Sequence, residues 1–182
     1  VVLTDATSLG IAICNTPDGP TISTAEHALA LILSVSKDLN ESQGRLRRQE
    51  GNYGLQHRAI ELDGASLALI GLGRIGSRVA QFAVAMGMRV TAYDPFEAAE
   101  RFEDLGVERA SNLHDAVSSA HIVSIHAPLT PETRHLVDAE LFSQMQDGVL
   151  IVNTARGGLI DDHALLAALN SGKVAGAGLD VT

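Results

Sequence analysis

The sequence predicts an α/β fold, a doubly wound parallel sheet of about six strands in the order 3-2-1-4-5-6, with a long N-terminal helix. Three observations predict it. From residue 62 onward, short apolar runs alternate with stretches of helical periodicity, as in strands joined by crossover helices. Six such runs occur, the number that two mononucleotide-binding halves require. The first run leads into a glycine-rich turn that opens a helix.

Each strand is predicted from a short apolar run bounded by polar or glycine-containing turns. The runs lie at residues 67–70, 88–93, 107–110, 122–126, 149–153 and 174–180. The connecting helices are predicted where apolar residues recur at helical spacing, at residues 75–86, 97–105, 113–119, 138–145 and 162–170. Gly106 and Gly172 are placed to end two of these helices, and Ser111 or Asn112 to cap a third.

The region before the sheet is predicted to hold a strand and a helix. Residues 11–15 form a short apolar run, closed by a turn cluster at residues 16–20. Ser23 and Glu26 fit a capping box, which predicts a helix over residues 25–39. This helix is apolar nearly all round, so we expect it to be buried, in part against another subunit.

Composition excludes several classes of protein. With 182 residues, 46% of them apolar, the chain can bury the core of one domain. Thirteen basic and 22 acidic residues give a net charge of −9, which argues against nucleic acid or an anionic membrane as partner. The single cysteine excludes an intrachain disulfide and a cysteine metal cage, and it suits a reducing, cytoplasmic location. We expect no metal site. The polar stretch at residues 40–62 is interpreted as a long solvated connection.

The glycine-rich turn reads Gly71-Leu72-Gly73-Arg74-Ile75-Gly76, a G-x-G-x-x-G motif between a strand and a helix. In that context the first glycine permits a tight turn, the second lets a pyrophosphate approach the backbone, and the third lets helix and strand pack closely. The helix N-terminus offers free N–H groups to the anion, and Arg74 could add charge. The alternative is a glycine turn with a structural role only.

A carboxylate follows the second strand. Asp94 lies 18 positions after Gly76, close to the spacing at which an acidic residue receives the adenosine ribose hydroxyls. Its charge would repel a 2′-phosphate and no arginine follows at once, so NAD is favoured over NADP. Alternatively, Asp94 and Pro95 form only a turn.

Further stretches resemble one family, the D-isomer-specific 2-hydroxyacid dehydrogenases, and most closely its phosphoglycerate dehydrogenase-like and hydroxypyruvate/glyoxylate reductase-like members. Besides the glycine loop and Tyr93-Asp94-Pro95, they are Thr24-Ala25-Glu26-His27-Ala28, His126-Ala127-Pro128-Leu129-Thr130-Pro131-Glu132-Thr133, Asn153-Thr154-Ala155-Arg156-Gly157-Gly158 and Ala177-Gly178-Leu179-Asp180-Val181. The resemblance covers essentially the whole chain. It is specific for the family and not for the acid, with 3-phosphoglycerate and hydroxypyruvate or glyoxylate the favoured substrates.

The resemblance implies an NAD site along one edge of the sheet. Toward the adenosine end it assigns Arg74 and Ile75 to the pyrophosphate loop, Asp94 with Pro95 to the ribose, and His126, Ala127 and Pro128 to the adenine wall. Toward the nicotinamide end it assigns Thr24, Thr154, Ala155, Arg156 and Asp180.

Arg156 is the catalytic residue that we predict. A guanidinium can hold the carboxylate and the reacting oxygen of a 2-hydroxy acid with two parallel donors, a geometry that lysine lacks. Arg156 follows the fifth predicted strand, at the edge where such sheets bind ligands. From the residues alone, an ion pair with Asp161 or Asp162 is an equal alternative.

Family members use a histidine as acid/base, oriented by a glutamate, and both follow the stretch that matches residues 174–181. No histidine of this chain matches that position, so we expect a fragment that binds cofactor without efficient turnover. Residues 1–20 are expected to be a remnant of a substrate domain, either disordered, swapped or packed on a neighbouring chain, and residues 21–182 to be the NAD-binding domain. The family also implies a homodimer through residues 25–39 and the loop that follows.

Two other functions are alternatives for a chain with this fold. A non-enzymatic NAD-sensing protein of the corepressor type keeps the same fold and motifs, and it stays open. An unrelated dehydrogenase of the short-chain type is disfavoured, because the chain has no Tyr-x-x-x-Lys pair.

Overall fold

Six parallel strands form the sheet of the computed structural model, in the predicted order β3-β2-β1-β4-β5-β6. The structure describes residues 3–16, 18–50 and 58–182. The strands are β1 Ser66–Ile70, β2 Arg89–Tyr93, β3 Glu108–Arg109, β4 Ile122–Ile125, β5 Val149–Asn153 and β6 Val174–Leu179. Because the strand order reverses between β1 and β4, the carboxyl ends of these two strands flank a crevice.

The helices are α1 Leu3–Ser8, α2 Thr21–Ser36, α3 Leu39–Arg47, α4 Arg74–Ala85, α5 Ala99–Leu105, α6 Leu113–Val117, α7 Ala139–Gln144 and α8 Asp162–Ser171. A short 3₁₀ helix spans Gly157–Leu159. Gly106 and Gly172 end α5 and α8 in the left-handed region, as predicted. Asn112, rather than Ser111, caps α6, since its side chain accepts the N–H of Asp115.

Helices cover both faces of the sheet. Leu67 and Leu69 of β1 face one core layer, which they share with α2 and α4. Ala68 and Ile70 face the other layer, which contains α6, α7 and α8. Successive side chains of a strand point to opposite faces, so one apolar run serves both layers. Because helices cover both faces, a ligand can reach several strands together at the carboxyl edge of the sheet.

The predicted strand at residues 11–15 is wrong. The chain forms α1 just before it, and residues 9–16 adopt neither helix nor strand. Ile11 is 56% exposed and Ile13 is 42% exposed. A strand needs a neighbour for its backbone hydrogen bonds, and no ladder in the described part of the chain includes these residues.

The predicted capping box is also wrong. The helix begins at Thr21, so Ser23 lies within its first turn, where its Oγ donates to the carbonyl oxygen of Pro20 at 3.2 Å. The helix ends at Ser36 rather than residue 39. Within the chain only one side of α2 is buried, through Ala25, Ala28 and Ile32, so burial all round is not observed.

The predicted connection at residues 40–62 contains helix α3. Its sequence is polar, but the Arg45 guanidinium bonds the Glu41 carboxylate one turn earlier at 2.7 Å, and such i,i+4 pairs favour helix. Arg48 pairs with Glu41 and Glu50. The hydrogen bond from Arg45 is the main cause of the lowered pKa of Glu41, and the hydrogen bond from Arg48 is the main cause of the lowered pKa of Glu50. Residues 51–57 of this connection lie outside the described residues.

Candidate dinucleotide-binding site

The motifs singled out in the sequence meet at the carboxyl edge of the sheet. Gly71 follows β1, Asp94 follows β2, His126 follows β4, Thr154 follows β5 and Asp180 follows β6. Because the strands are parallel, all five residues lie at the same edge of the sheet. The edge therefore presents one row of loops across the crevice between β1 and β4.

The glycine loop is fixed by steric contact. Gly71 has a φ of +99°, and a Cβ there would lie 2.8 Å from the carbonyl carbon of His126. A Cβ at Gly76 would lie 2.2 Å from the carbonyl oxygen of Gly71. Neither position has room for a side chain, because the obstacles are backbone atoms.

Gly73 differs from the other two glycines. A Cβ there would meet nothing within 4 Å, and the residue is the extended N-cap of α4. The space above it is open, and the first N–H groups of α4 have no acceptor within the helix. An open backbone beside a helix N-terminus fits the pyrophosphate of a dinucleotide.

Asp94 ties the loops after β1 and β2 together. One carboxylate oxygen accepts the N–H of Leu72 at 2.8 Å, and the other accepts the N–H of Phe96 at 3.0 Å. Asp94 therefore has the structural role in these turns that the alternative interpretation gave it. Each oxygen keeps a further lone pair, so ribose hydroxyls can still donate to the carboxylate. Asp94 and Pro95 line a cavity of about 460 Å³.

The Arg74 side chain does not reach this cavity. Its Nη1 lies 3.4 Å from Asp18 Oδ1, in a separate hollow of about 330 Å³. Both side chains are largely exposed, so the ion pair adds little stability. At the loop itself, Arg74 and Ile75 offer their backbone N–H groups.

His126 sits beside the glycine loop as a neutral imidazole. Its Nε2 lies 2.9 Å from the Oγ of buried Ser124, and the backbone N–H of His126 donates to the carbonyl oxygen of Ile70. Desolvation lowers the pKa of His126 to about 4, so the ring carries no charge at pH 7. A neutral ring suits a wall that Ala127 and Pro128 continue.

The loop after β5 is braced by a buried side chain. The amide of Asn153 donates to the carbonyl oxygen of Arg156 and accepts the N–H of Ala155, both at 2.9 Å. Thr154 Oγ1 is the buried side-chain oxygen that finds no partner in the described part of the chain. Buried polar groups normally have partners, so this hydroxyl fits a site completed by a bound molecule.

Arg156 leaves most of its donors free. Its Nη1 donates to the carbonyl oxygen of Ala155 at 2.6 Å, and no carboxylate of the described residues lies within 4 Å of it. Asp161 instead caps α8 by accepting the N–H groups of His163 and Ala164, and these bonds lower the pKa of its carboxyl group. The alternative of an Arg156 ion pair is not observed.

At the far end of the edge, α2 meets the end of β6. The Nε2 of His27 lies 3.3 Å from an oxygen of Asp180, whose N–H donates to the carbonyl oxygen of Asn153. Thr24 lies one turn before His27 on the same helix. The structure thus brings Thr24 and Asp180 to one end of the edge.

Sequence reasoning missed four side chains of this edge: Ser124, Asn153, His27 and Arg109. Ser124 and Asn153 carried a usable signal, since each is a polar residue in an otherwise apolar, buried strand. His27 stood in one of the quoted motifs but had no assigned role, because Asp180, which it contacts, is distant in sequence. Arg109 carried no signal.

No helix in the described ranges is both long and apolar enough to span a lipid bilayer.

Sequence comparison relates the chain to one group of proteins. The family model described as "D-isomer specific 2-hydroxyacid dehydrogenase, NAD binding domain" matches residues 29–182. A D-3-phosphoglycerate dehydrogenase of Bacillus subtilis is 43% identical over 177 residues, and one of Methanocaldococcus jannaschii is 41% identical over 176. Each match covers 97% of this chain and 33% of the relative, so the chain spans about a third of these proteins.

Comparison with solved structures relates the chain to the same group of proteins. The holo form of Rhodotorula graminis D-mandelate dehydrogenase superposes with a TM-score of 0.92 at 36% identity, covering 100% of this chain and 55% of that one. A D-lactate dehydrogenase from Aquifex aeolicus, complexed with NAD and lactic acid, gives 0.90 at 36% identity, covering 100% and 54%. The similar proteins differ in the acid that they are named for.

Proposed function

The chain belongs to the D-isomer-specific 2-hydroxyacid dehydrogenase family as its NAD-binding domain, and from this we propose that the whole protein transfers hydride between NAD and a D-2-hydroxy acid or its 2-keto acid. The observation that carries the proposal is the convergence of the glycine loop, Asp94 and residues 154–156 on one sheet edge. The acid that we favour is 3-phosphoglycerate, followed by hydroxypyruvate or glyoxylate.

The proposed site runs along the edge from β2 to β6. We assign the pyrophosphate to the N–H groups at Gly73, Arg74 and Ile75, and the adenosine ribose to Asp94 and Pro95. We assign the adenine wall to His126, Ala127 and Pro128. The nicotinamide end falls to Thr24, Thr154, Ala155 and Asp180. Open space at Gly73 and the partnerless hydroxyl of Thr154 support the two ends of this assignment.

Arg156 is the residue that we assign to the reacting acid. When bound, NAD supplies a carbon that accepts or donates hydride. The Arg156 guanidinium has free paired donors that can hold the substrate carboxylate and the reacting oxygen together. His126 is neutral at pH 7 and bonded to Ser124, so we do not assign it the proton transfer. The resemblance gives that step to a histidine and a glutamate that follow the stretch matching residues 174–181.

The cofactor assignment is tested by calorimetric titration with NADH. We expect Asp94→Ala to weaken binding by about tenfold or more, since it removes the ribose acceptor and frees the Leu72 N–H. Asp94→Asn is the matched control, because it keeps one acceptor oxygen and should lose less. Equal NADH affinity in wild type and Asp94→Ala would refute the ribose assignment.

The activity is tested in the whole protein that carries this chain. Arg156→Lys keeps the charge and loses the paired donors, so kcat/KM for the accepted D-acid should fall by about 100-fold or more. Turnover of D-acids but not of L-acids would support the proposal. The NAD-sensing alternative predicts tight NADH binding by the whole protein with no turnover of any 2-hydroxy acid.

We further propose a homodimer through residues 25–39 and the loop that follows. The exposed apolar side chains of Ile22 on α2 and of Leu39 and Leu46 on α3 support it, because exposed apolar surface is typical of a protein–protein interface. In sedimentation experiments Leu39→Asp/Leu46→Asp should dissociate the dimer. Leu166→Asp, at an exposed leucine of α8, is the control and should not. A monomeric wild-type chain at high concentration would refute the dimer.

Two coarser assignments complete the proposal. Residues 1–20 are assigned to the substrate domain of the whole protein, and residues 21–182 to the NAD-binding domain. Residues 9–16 are exposed within this chain, which supports a packing partner for them in another part of the whole protein. The single cysteine, Cys14, suits a reducing compartment, and we propose the cytoplasm. Cell fractionation that places the protein in an oxidising compartment would refute this location.

A further inference from the structure

A hollow on the exposed side of α4 is lined by three arginines. Arg74 and Arg78 lie one turn apart on α4, and Arg101 reaches the hollow from α5. Asp18 and the first two residues of α2 lie across from them, and the volume enclosed is about 330 Å³. Apart from Arg74, no lining residue belongs to the NAD site proposed above. The hollow is therefore a second place where a small molecule fits.

Two of the guanidinium groups are held at the hollow by neutral residues that also line it. The Nη1 of Arg78 donates to the Oε1 of Gln81 at 2.9 Å. The Nε of Arg101 donates to the Oγ of Ser77 at 3.2 Å. Ser77 is itself buried, and its hydroxyl donates to the carbonyl oxygen of Leu72 at 2.7 Å. Each of these bonds uses one of five guanidinium donors, so most donors stay available.

Carboxylates do not neutralise these charges. No ion pair within 4 Å involves Arg78 or Arg101 in the ranges that the structure describes. Acidic residues are close in sequence, since four of them, at positions 97, 100, 103 and 104, lie within four positions of Arg101. Arg74 has an exposed pair with Asp18 at 3.4 Å. Three arginines and one aspartate give the lining a net charge of +2, in a protein of net charge −9.

We propose that this hollow binds a small multivalent oxyanion, a phosphomonoester or a polycarboxylate, at a site separate from that of the NAD pyrophosphate. The paired donors of a guanidinium match the oxygens of both kinds of anion. Three like charges around one hollow repel one another, and a bound dianion offsets that repulsion. The anion takes the free donors of Arg78 and Arg101 and replaces Asp18 as the partner of Arg74.

The hollow and the proposed pyrophosphate position are at different places on α4. The pyrophosphate is assigned to the N–H groups at Gly73, Arg74 and Ile75, where the helix begins. Arg78 lies four residues beyond Arg74, which is about 6 Å along the helix axis. Arg101 belongs to another helix. Because Arg74 borders both places, the test depends on Arg78 and Arg101.

The test is calorimetric titration of the chain with inorganic phosphate and with citrate, at an ionic strength fixed by KCl. Wild type should bind at least one of them saturably, with one anion per chain. Arg78→Ala removes charged donors and should weaken that binding by about tenfold. Arg101→Lys keeps the charge but loses the paired donors, and it should weaken binding severalfold. Arg89→Ala removes the same charge at the amino end of β2 and should leave binding unchanged.

Gly73→Ala separates the hollow from the cofactor site. A Cβ at residue 73 meets no protein atom within 4 Å, so this variant should fold, as circular dichroism checks for every variant. It should lose NADH affinity and keep its affinity for the anion. Parallel loss of NADH and anion binding would place the anion at the glycine loop and overturn the separate site.

The remaining outcomes distinguish this inference from the proposed function. Binding of neither phosphate nor citrate, or equal affinity in wild type and Arg78→Ala, would overturn the anion site whatever the NADH result. A tetraglutamate peptide that binds where both small anions fail would assign the hollow to an acidic protein segment, and it would also overturn the proposal. Saturable citrate or phosphate binding by a folded chain that does not bind NADH would contradict the proposed function alone.

Discussion

The β1–β3 half and the β4–β6 half of the sheet hold their carboxyl-end loops by different means. In the first half, backbone packs on backbone: the sites of Gly71 and Gly76 leave no room for a Cβ. In the second half, side chains make the contacts: the Asn153 amide braces the backbone of residues 155 and 156, and the Oγ of Ser124 bonds the imidazole of His126. Steric contact fixes the glycine loop of the first half, to which Asp94 adds hydrogen bonds, whereas the loops of the second half depend on hydrogen bonds from side chains.

This difference separates two kinds of sensitivity to mutation. A steric restraint between backbone atoms cannot relax locally, so its loss disturbs the junction of strand and helix. A hydrogen-bond brace can be lost while the strands beneath it stay paired. Changes in the glycine loop should therefore affect folding, whereas changes to the braces should affect the loops after β4 and β5 more than the sheet.

The largest expected effect is that of Gly76→Ala. Its Cβ would lie 2.2 Å from the carbonyl oxygen of Gly71, and this contact is relieved only by moving α4 away from β1. We expect the free energy of unfolding to fall by about 3 kcal/mol or more, measured by urea denaturation. Gly73→Ala is the matched control: it should stay within about 1 kcal/mol of wild type while losing NADH affinity. A fully stable Gly76→Ala protein would break the comparison.

Asn153→Ala should have the next largest effect. The side chain is 1% exposed and makes two hydrogen bonds of 2.9 Å, so removing it leaves the N–H of Ala155 and the carbonyl oxygen of Arg156, which are partly buried, without these partners. We expect a loss of about 2 kcal/mol in urea denaturation, together with weaker NADH binding. Asn112→Ala, at an exposed helix cap, should cost about 1 kcal/mol and leave NADH binding unchanged. Unchanged NADH binding in Asn153→Ala would show that the brace does not shape the site.

The pH dependence of the unfolding free energy tests the environment of His126 in the second half of the sheet. Its pKa is about 4 in the folded chain and about 6.5 when unfolded, so the unfolded state binds the proton more readily. The resulting stability is fully present above pH 6.5 and is lost as the pH falls toward 4. The difference in unfolding free energy between wild type and His126→Gln should shrink by about 1–2 kcal/mol across that window. A difference that is independent of pH would contradict the lowered pKa of the His126 ring.

The smallest effect is expected at His27. Its contact with Asp180 joins two side chains that are about half exposed, so His27→Ala should change the unfolding free energy by less than about 1 kcal/mol. NADH affinity should fall a few-fold, because Asp180 loses a partner that orients it. Asp180→Ala removes the proposed nicotinamide contact itself and should weaken NADH binding more. Weaker NADH binding by His27→Ala than by Asp180→Ala would contradict the assignment of Asp180.

The sheet was predictable because its signals are local. Strand order, the carboxyl-edge motifs and the glycine stops at residues 106 and 172 follow from runs, spacings and turn residues that lie close together in the chain. The region before β1 was less predictable. Residues 11–15 have the composition of a strand but no neighbour to pair with, and the polar helix α3 depends on ion pairs that apolar periodicity does not reveal.

The candidate site was predictable in its backbone and less so in its side chains. Gly71, Gly73 and Gly76 are read directly from the motif, because only the absence of a Cβ matters there. The direction of a long side chain depends on its neighbours in space. Arg74 was expected to add charge at the pyrophosphate, yet its guanidinium lies beside Asp18, and Arg109 reaches the Asp94 cavity from a strand that carried no motif.

The central claim is that this sheet edge binds NAD, and a titration of the unmodified chain with NADH, read by nicotinamide fluorescence, tests it most directly. The chain has no tryptophan, so the protein contributes little to the signal. The account predicts saturable binding of NADH and much weaker binding of NADPH. A folded chain that binds neither nucleotide, or that binds NADPH as tightly as NADH, would contradict it.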